Sequence, residues 1–123
     1  MNELDGAITL YRDVLGLKLE GIHMVKEQRV RVAFFSTGGE TGIELLEPTE
    51  SESSVAKFIA KRGEGIHHIA LEVRNIEAVL EELKRKGLKL VDEKPRIGVE
   101  GAKVAFIHPK STRNVLLELC ETT

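Results

Sequence analysis

The chain contains two stretches of similar sequence, and this internal repeat restricts the fold more than any other feature. Residues 2–19 (NELDGAITLYRDVLGLKL) and 75–90 (NIEAVLEELKRKGLKL) each show the apolar spacing of an amphipathic helix, closed by Gly and Leu-Lys-Leu. Farther along, GIELLEP in the first half parallels NVLLELC in the second. We therefore predict a duplicated unit of the α+β class.

The second copy predicts a complete βαβββ unit, with a strand at 66–73, a helix at 76–86 and strands near 88–92, 102–108 and 115–120. The first copy predicts αβββ, with a helix ended by Gly16 and strands at 17–23, 30–36 and 42–47. Between them, a polar segment contains one short helix through Val55, Phe58 and Ile59. The expected organisation is one domain at 1–123: a first half-unit at 1–48, a linker at 49–64 and a second half-unit at 65–123, the two sheets enclosing a cleft.

The strand HHIALEV precedes the helix of the second copy, whereas Met1 alone stands before the matching helix of the first copy. The repeat leads us to expect an opening strand, with a histidine, upstream of Met1. A start codon assigned too late would explain its absence. The upstream reading frame of the gene tests this expectation, which fails if no strand of the form Asp-His-hydrophobic is encoded there.

Composition excludes several classes of function. Eighteen basic and twenty acidic residues give a net charge of -2 without a basic block, which argues against nucleic acid as a partner. No apolar run reaches the roughly 18 residues of a membrane span, and the N-terminus does not resemble a signal peptide, so we expect a cytoplasmic protein that does not enter membranes. The 31% of charged residues is typical of proteins from hot environments.

Strand alternation identifies three residues that could carry chemistry. In HHIALEV the apolar face should lie under the helix, which directs His68 to the opposite face. Glu118 interrupts the apolar strand NVLLELC, and Glu44 does the same in GIELLEP. Two histidines and two carboxylates related by an internal twofold suit a Mn, Fe, Co, Ni or Zn ion with open coordination positions. The alternative is that the glutamates are solvated rim residues and His68 is a hydrogen-bonded strand histidine.

Other polar features have weaker functional interpretations. His67 shares a face with core residues, which favours a structural role. The basic loop His108–Ser111 suits either an anionic substrate tail or a solvated turn. The segment GVEG at 98–101 leads into a strand rather than a helix N-terminus, which argues against a phosphate-cradling loop.

The segments EGIHHIALEV, DEKPRIGVEGAKVAFIHPKS and VLLELCE resemble the methylmalonyl-CoA epimerase family of the vicinal-oxygen-chelate superfamily, which also holds glyoxalase I and the extradiol dioxygenases. The resemblance runs from Asn2 to Glu121 and implies paired βαβββ units, a homodimer, an acyl-CoA substrate and a divalent metal, usually cobalt or manganese. It implies inversion at C2 of methylmalonyl-CoA by proton abstraction alpha to the thioester, through a metal-stabilised enolate. The positions matching Glu44, His68 and Glu118 are metal ligands in the family. Glu118 also matches a proton carrier, and Glu44 could offer the opposed carboxylate.

Three departures from the family accompany this resemblance. The family's first metal-binding histidine lies in the strand expected upstream of Met1. A further acidic base found in some members corresponds to Val32 here, and a Gly-Gly pair before the last strand is replaced by Arg113-Asn114. Two alternative functions follow: another enzyme of the superfamily, such as a glyoxalase I-like lyase or a dioxygenase, or a non-catalytic protein that binds acyl-CoA or another small ligand.

Overall fold

Two compact units, Met1–Gly65 and Ile66–Thr123, make up the chain. The computed structural model describes residues 1–98 and 101–121. Of the GVEG segment that the sequence assigns to a turn, Val99 and Glu100 lie outside the described residues. In the part of the chain that the structure describes, every helix is too short or too polar to cross a membrane.

Unit 1 begins with a helix and continues as a three-stranded antiparallel sheet of order β1-β2-β3. Helix α1 (Leu4–Ile8) continues as a π-helical segment (Thr9–Val14). The strands are β1 (Lys18–Val25), β2 (Val30–Ser36) and β3 (Gly42–Pro48), and helix α2 (Ser54–Arg62) follows. One core, formed by Leu4, Ile8, Ala33, Phe35 and Leu45, packs α1 against the sheet, and a second one, formed by Val30, Val32 and Val55, involves α2.

Unit 2 contains the predicted βαβββ order in a four-stranded sheet, β4-β7-β6-β5. Strand β4 (Ile69–Glu72) leads to helix α3 (Ile76–Arg85), and β5 (Arg96–Ile97), β6 (Lys103–Ile107) and β7 (Leu117–Glu121) follow. Strand β4 pairs in parallel with β7, whereas β6 is antiparallel to both β5 and β7. The core under the helix consists of Ile76, Leu80, Ala105, Ile107 and Leu119. The α+β class predicted from the sequence is confirmed.

The duplication is visible in how each unit fixes the start of its helix. In unit 1 the Leu4 N–H donates to the Glu47 carboxylate on β3 at 2.9 Å. In unit 2 the Ile76 N–H donates to the Glu121 carboxylate on β7 at 2.8 Å. A carboxylate from the last strand thus satisfies one of the unpaired N–H groups at each helix N-terminus and interacts favourably with the helix dipole.

The two helices also end alike. Gly16 and Gly87, the glycines of the repeated Gly-Leu-Lys-Leu sequence, have φ angles of 77° and 85°. These left-handed conformations are strained for residues with a Cβ atom, so glycine at both positions lets the chain leave the helix without cost.

The prediction of a strand at 88–92 is wrong, because these residues do not form a regular strand. Their one ladder bridge joins Leu90 to Ile107. The Phe106 N–H donates to the Asp92 carboxylate at 2.9 Å, so a side chain takes a place that a backbone carbonyl would hold in a ladder. The two-residue strand β5 farther on was not predicted.

The expectation that the apolar face of HHIALEV lies buried under the helix holds for Val73, which packs against the core, but not for Ile69 and Leu71. Ile69 and Leu71 are 49% and 48% exposed, respectively. The core under α3 draws its strand residues from β6 and β7, and β4 lies at the edge of the sheet.

Candidate functional site

His68 and Glu118, predicted from strand alternation, lie in direct contact in unit 2. His68 Nε2 is 2.9 Å from Glu118 Oε1, and the two side chains are 12% and 15% exposed. A carboxylate that has lost most of its water needs a charged or hydrogen-bonding partner, and the imidazole supplies one. The structure therefore forms a histidine-carboxylate pair that solvent still reaches.

The sheet register explains why this pair forms. Glu118 lies beside Ala70 in the parallel β4–β7 pair and opposite Phe106 in the antiparallel β6–β7 pair. His68, two residues before Ala70, is directed to the same face. Ala70 carries only a methyl group, which leaves room for the imidazole to reach the carboxylate. The ring of Phe106 meets that imidazole edge to face at 5.6 Å and supports its orientation.

His67 makes a second contact to His68 that the sequence did not predict. The two Nδ1 atoms are 3.0 Å apart, so one ring donates its hydrogen to the other. Burial, followed by the proximity of His68, lowers the pKa of His67 to about 4, and His67 is therefore neutral near pH 7. The adjacent histidines in the sequence were the available signal, but the alternation rule places them on opposite faces. His67 Nδ1 nevertheless reaches the ring of its neighbour because His68 precedes the first regular residue of β4.

Glu44, the duplication partner of Glu118, lies in unit 1 on β3. It is opposite Phe34 in the β2–β3 pair, as Glu118 is opposite Phe106 in unit 2. The two positions are thus equivalent in register within their own units. Their surroundings differ, because Glu44 is exposed whereas Glu118 is partly buried.

The His68–Glu118 pair has the donor chemistry and spacing that a divalent metal requires. Two ligand atoms at adjacent positions of an octahedral ion, each about 2.1 Å from the metal, lie about 3 Å apart, which is close to the observed 2.9 Å. A metal-bound imidazole normally donates its other N–H to a neighbour, and His67 Nδ1 is in place to accept it. The pair fits such a metal. Among residues 1–98 and 101–121, no three or more His, Cys, Asp or Glu side chains lie close enough together to hold a metal ion.

Val32, at the position of the family's additional acidic base, belongs to the core. Its side chain is 4% exposed and packs with Val30 and Val55. Valine has no proton to exchange, so this position carries no acid-base chemistry here.

Unit 1 also contains a surface depression of about 550 Å³. It is lined by the first residues of the chain, α1 and Glu64. Its carboxylates have structural partners: Glu3 accepts the Gly6 N–H at 2.8 Å, and Glu64 accepts the Asn2 N–H at 2.7 Å. Both of these lining carboxylates are therefore already used by the backbone.

Residues 1–106 match the family model of the glyoxalase/bleomycin resistance protein/dioxygenase superfamily. A mitochondrial methylmalonyl-CoA epimerase of Mus musculus is 38% identical over 95% of this chain, which spans 66% of the mouse protein. The crystal structure of methylmalonyl-CoA epimerase from Mycobacterium tuberculosis is similar over 100% of this chain and 83% of its own, with a TM-score of 0.94 and 36% identity. A Streptomyces coelicolor methylmalonyl-CoA epimerase variant in complex with 2-nitronate-propionyl-CoA is similar over 99% of this chain and 88% of its own, with a TM-score of 0.92 and 35% identity.

Proposed function

The chain belongs to the glyoxalase/bleomycin resistance protein/dioxygenase superfamily, and we propose that it is a metal-dependent epimerase that interconverts (2R)- and (2S)-methylmalonyl-CoA. The observation that carries the proposal is the His68–Glu118 contact on one face of the unit 2 sheet. The similarity to methylmalonyl-CoA epimerases over nearly the whole chain supports the choice of substrate.

Epimerisation requires a group that removes the proton at C2. In our proposal the Glu118 carboxylate accepts this proton, and the electron pair of the C–H bond moves into the thioester carbonyl to give an enolate. Return of a proton to the opposite face of C2 restores the C–H bond with inverted configuration, so the reaction needs no oxidant or reductant. A positioned acid or base of this kind accelerates proton transfer by about 10²–10⁴-fold.

His68 holds the reacting carboxylate in place. Its contact of 2.9 Å to Glu118, supported by Phe106 on one side and His67 on the other, restricts the orientation of the carboxylate. Orientation matters because the lone pair of the base must point at C2 of the bound substrate.

We propose that His68 and Glu118 hold a divalent ion, with Co²⁺ or Mn²⁺ as the expected metals and Zn²⁺, Ni²⁺ or Fe²⁺ as alternatives. The resemblance to the family adds Glu44 as a further ligand in this proposal. When bound, such an ion would stabilise negative charge on the thioester oxygen, which lowers the barrier to removing a weakly acidic proton. Glu44, protonated before the reaction, is our candidate for the acid that gives a proton to C2 of the enolate and becomes a carboxylate, because it is the register equivalent of Glu118 and because Val32 supplies no acid.

The proposal is tested by incubating the full chain, loaded with Co²⁺, with one epimer of methylmalonyl-CoA and following conversion to the other by chiral chromatography. We expect conversion to an equal mixture, and loss of activity when the metal is removed by a chelator. A His68→Ala variant should also bind Co²⁺ at least tenfold more weakly in a spectroscopic titration. Lack of conversion at saturating metal would refute the proposed reaction. Unchanged Co²⁺ affinity in His68→Ala would refute the proposed ligand.

A further inference from the structure

A cluster of positive charge lies at the turn that precedes β7 in unit 2. It consists of Lys89, Lys110 and Arg113, which we call the cationic turn. The sequence from Gly101 to Leu117 contains no Asp or Glu, so no neighbouring carboxylate on this segment offsets the charge.

Hydrogen bonds tie these residues into one compact structure. The Lys89 N–H donates to Ser111 Oγ at 2.8 Å, and its carbonyl accepts the His108 N–H at 3.0 Å. The Asn114 N–H donates to the Pro109 carbonyl at 2.8 Å, which closes the loop back on itself. The backbone therefore holds the three cationic residues in one region despite the repulsion between their like charges.

The charges of the cationic turn are available to a ligand. Lys89, Lys110 and Arg113 are all exposed. None of the three forms a salt bridge with a residue in the ranges 1–98 and 101–121. Four other cations of unit 2 are paired with carboxylates, for example Lys103 with Glu77 at 2.8 Å, whereas the exposed Arg74, Arg85 and Lys94 form no salt bridge with a described residue.

The backbone at Arg113 adds an independent observation. Arg113 and Asn114 have φ angles of 59° and 70°, so two consecutive residues with side chains adopt the left-handed conformation. Asparagine tolerates this conformation, but arginine does so at a cost that glycine would avoid. Residues kept in strained conformations concentrate at functional sites. Arg29 of unit 1 has the same conformation, with φ 55°, but pairs with Glu50 at 3.2 Å, whereas Arg113 has no salt bridge with a described residue.

We propose that the cationic turn binds the phosphate groups at the nucleotide end of a CoA thioester, an inference that rests on the proposed function. The turn is linked directly to the reacting residue, since Asn114 is four positions before Glu118, roughly 13 Å of extended chain. A thioester at Glu118 and phosphates at the turn would be joined by the extended pantetheine arm. Arginine and lysine are the side chains that bind phosphate most strongly, through charge-assisted hydrogen bonds.

Binding measurements on the full chain test the site without relying on catalysis. We expect calorimetry at low salt to show that CoA and adenosine 3′,5′-bisphosphate bind the wild type and that Lys110→Ala and Arg113→Gly each weaken both by about tenfold. Lys57→Ala, which removes an exposed lysine of α2, is the charge-matched control and should change neither affinity.

Two substitutions of Arg113 separate its charge from its backbone strain. Arg113→Gly should raise the Tm by a few degrees while it weakens binding, whereas Arg113→Gln should weaken binding with an unchanged Tm. CoA affinity equal to that of the wild type in Lys110→Ala, Arg113→Gly and Arg113→Gln would overturn the proposal. Weaker binding of the bisphosphate alone, with CoA affinity unchanged, would assign the turn to a free nucleotide and overturn the CoA assignment.

A kinetic comparison distinguishes failure of the site from failure of the proposed function. With methylmalonyl-CoA, Arg113→Gln should raise KM about tenfold and leave kcat unchanged. With methylmalonyl-pantetheine, which has no nucleotide, the variant and the wild type should have equal KM values. If the wild type turns over neither thioester but CoA binding still depends on Arg113, the epimerase proposal fails while the phosphate site stands. An equal rise of KM for both thioesters would refute the phosphate site.

Discussion

Replacing Glu118 with Gln removes the proposed proton carrier while it preserves the shape of the side chain. In the wild type His68 Nε2 lies 2.9 Å from the Glu118 carboxylate, and the amide oxygen of Gln can still accept this hydrogen bond. We therefore expect the free energy of unfolding to change by less than about 1 kcal/mol. An amide does not accept a proton at neutral pH, so kcat should fall by about 10²–10⁴-fold. That loss corresponds to about 3–5 kcal/mol of transition-state stabilisation.

Glu121→Gln is the matched control, because it makes the same chemical change three residues farther along β7. Glu121 accepts the Ile76 N–H at 2.8 Å at the start of α3, so losing its charge should cost about 0.5–1 kcal/mol of stability. We expect a Tm about 2–5 °C lower and a nearly unchanged kcat. Urea unfolding and the epimerisation assay, run on both variants, measure the two effects. If Glu118→Gln keeps more than a tenth of the wild-type kcat, or if Glu121→Gln loses activity to the same degree, the assignment of the proton carrier is wrong.

Three further predictions follow from the described contacts. Glu47→Gln should lower the free energy of unfolding by about 0.5–1 kcal/mol, because the Glu47 carboxylate accepts the Leu4 N–H just as Glu121 accepts the Ile76 N–H. An unchanged midpoint of urea unfolding would contradict this prediction. Phe35→Ala should cost about 3–5 kcal/mol, because Phe35 is fully buried in the unit 1 core, and calorimetry measures the loss. Burial holds the pKa of His67 at about 4, below its unfolded value near 6.5, so its contribution to stability is complete above about pH 6.5 and is lost as the pH falls toward 4. Because His67 is partly exposed, this contribution is on the order of 1–2 kcal/mol. In urea unfolding of the chelator-treated protein, the free energy of unfolding of His67→Gln should depend less on pH than that of the wild type.

The histidine-carboxylate pair could be predicted from the sequence because it depends on local rules. Alternation places His68 and Glu118 on the faces opposite the apolar residues of their strands, and the repeat predicts that the two strands belong to one βαβββ unit. Once β4 and β7 are neighbours in a sheet, both rules direct the two side chains to the same side. The equivalence of Glu44 and Glu118 was also available, and the two have the same register position within their own units.

Other features depend on contacts that a linear pattern does not contain. The segment Leu88–Asp92 has three branched apolar residues at strand-like spacing. The Asp92 carboxylate accepts the Phe106 N–H and the Ser111 hydroxyl accepts the Lys89 N–H, so a regular ladder does not form. The contact of His67 with His68 arises outside the regular strand, where alternation no longer applies. The proton carrier and ligand roles of these residues, the homodimer, the cytoplasmic location and the hot habitat stay predictions.

The central claim is that this chain removes and returns the proton at C2 of methylmalonyl-CoA. It is tested most directly by proton-deuterium exchange at C2 in heavy water, followed by NMR, with Co²⁺ added. We predict that the wild type exchanges the C2 proton rapidly, and that Glu118→Gln slows this exchange at least a hundredfold while folding normally. Wild-type exchange no faster than that of buffer containing Co²⁺ alone would contradict the account.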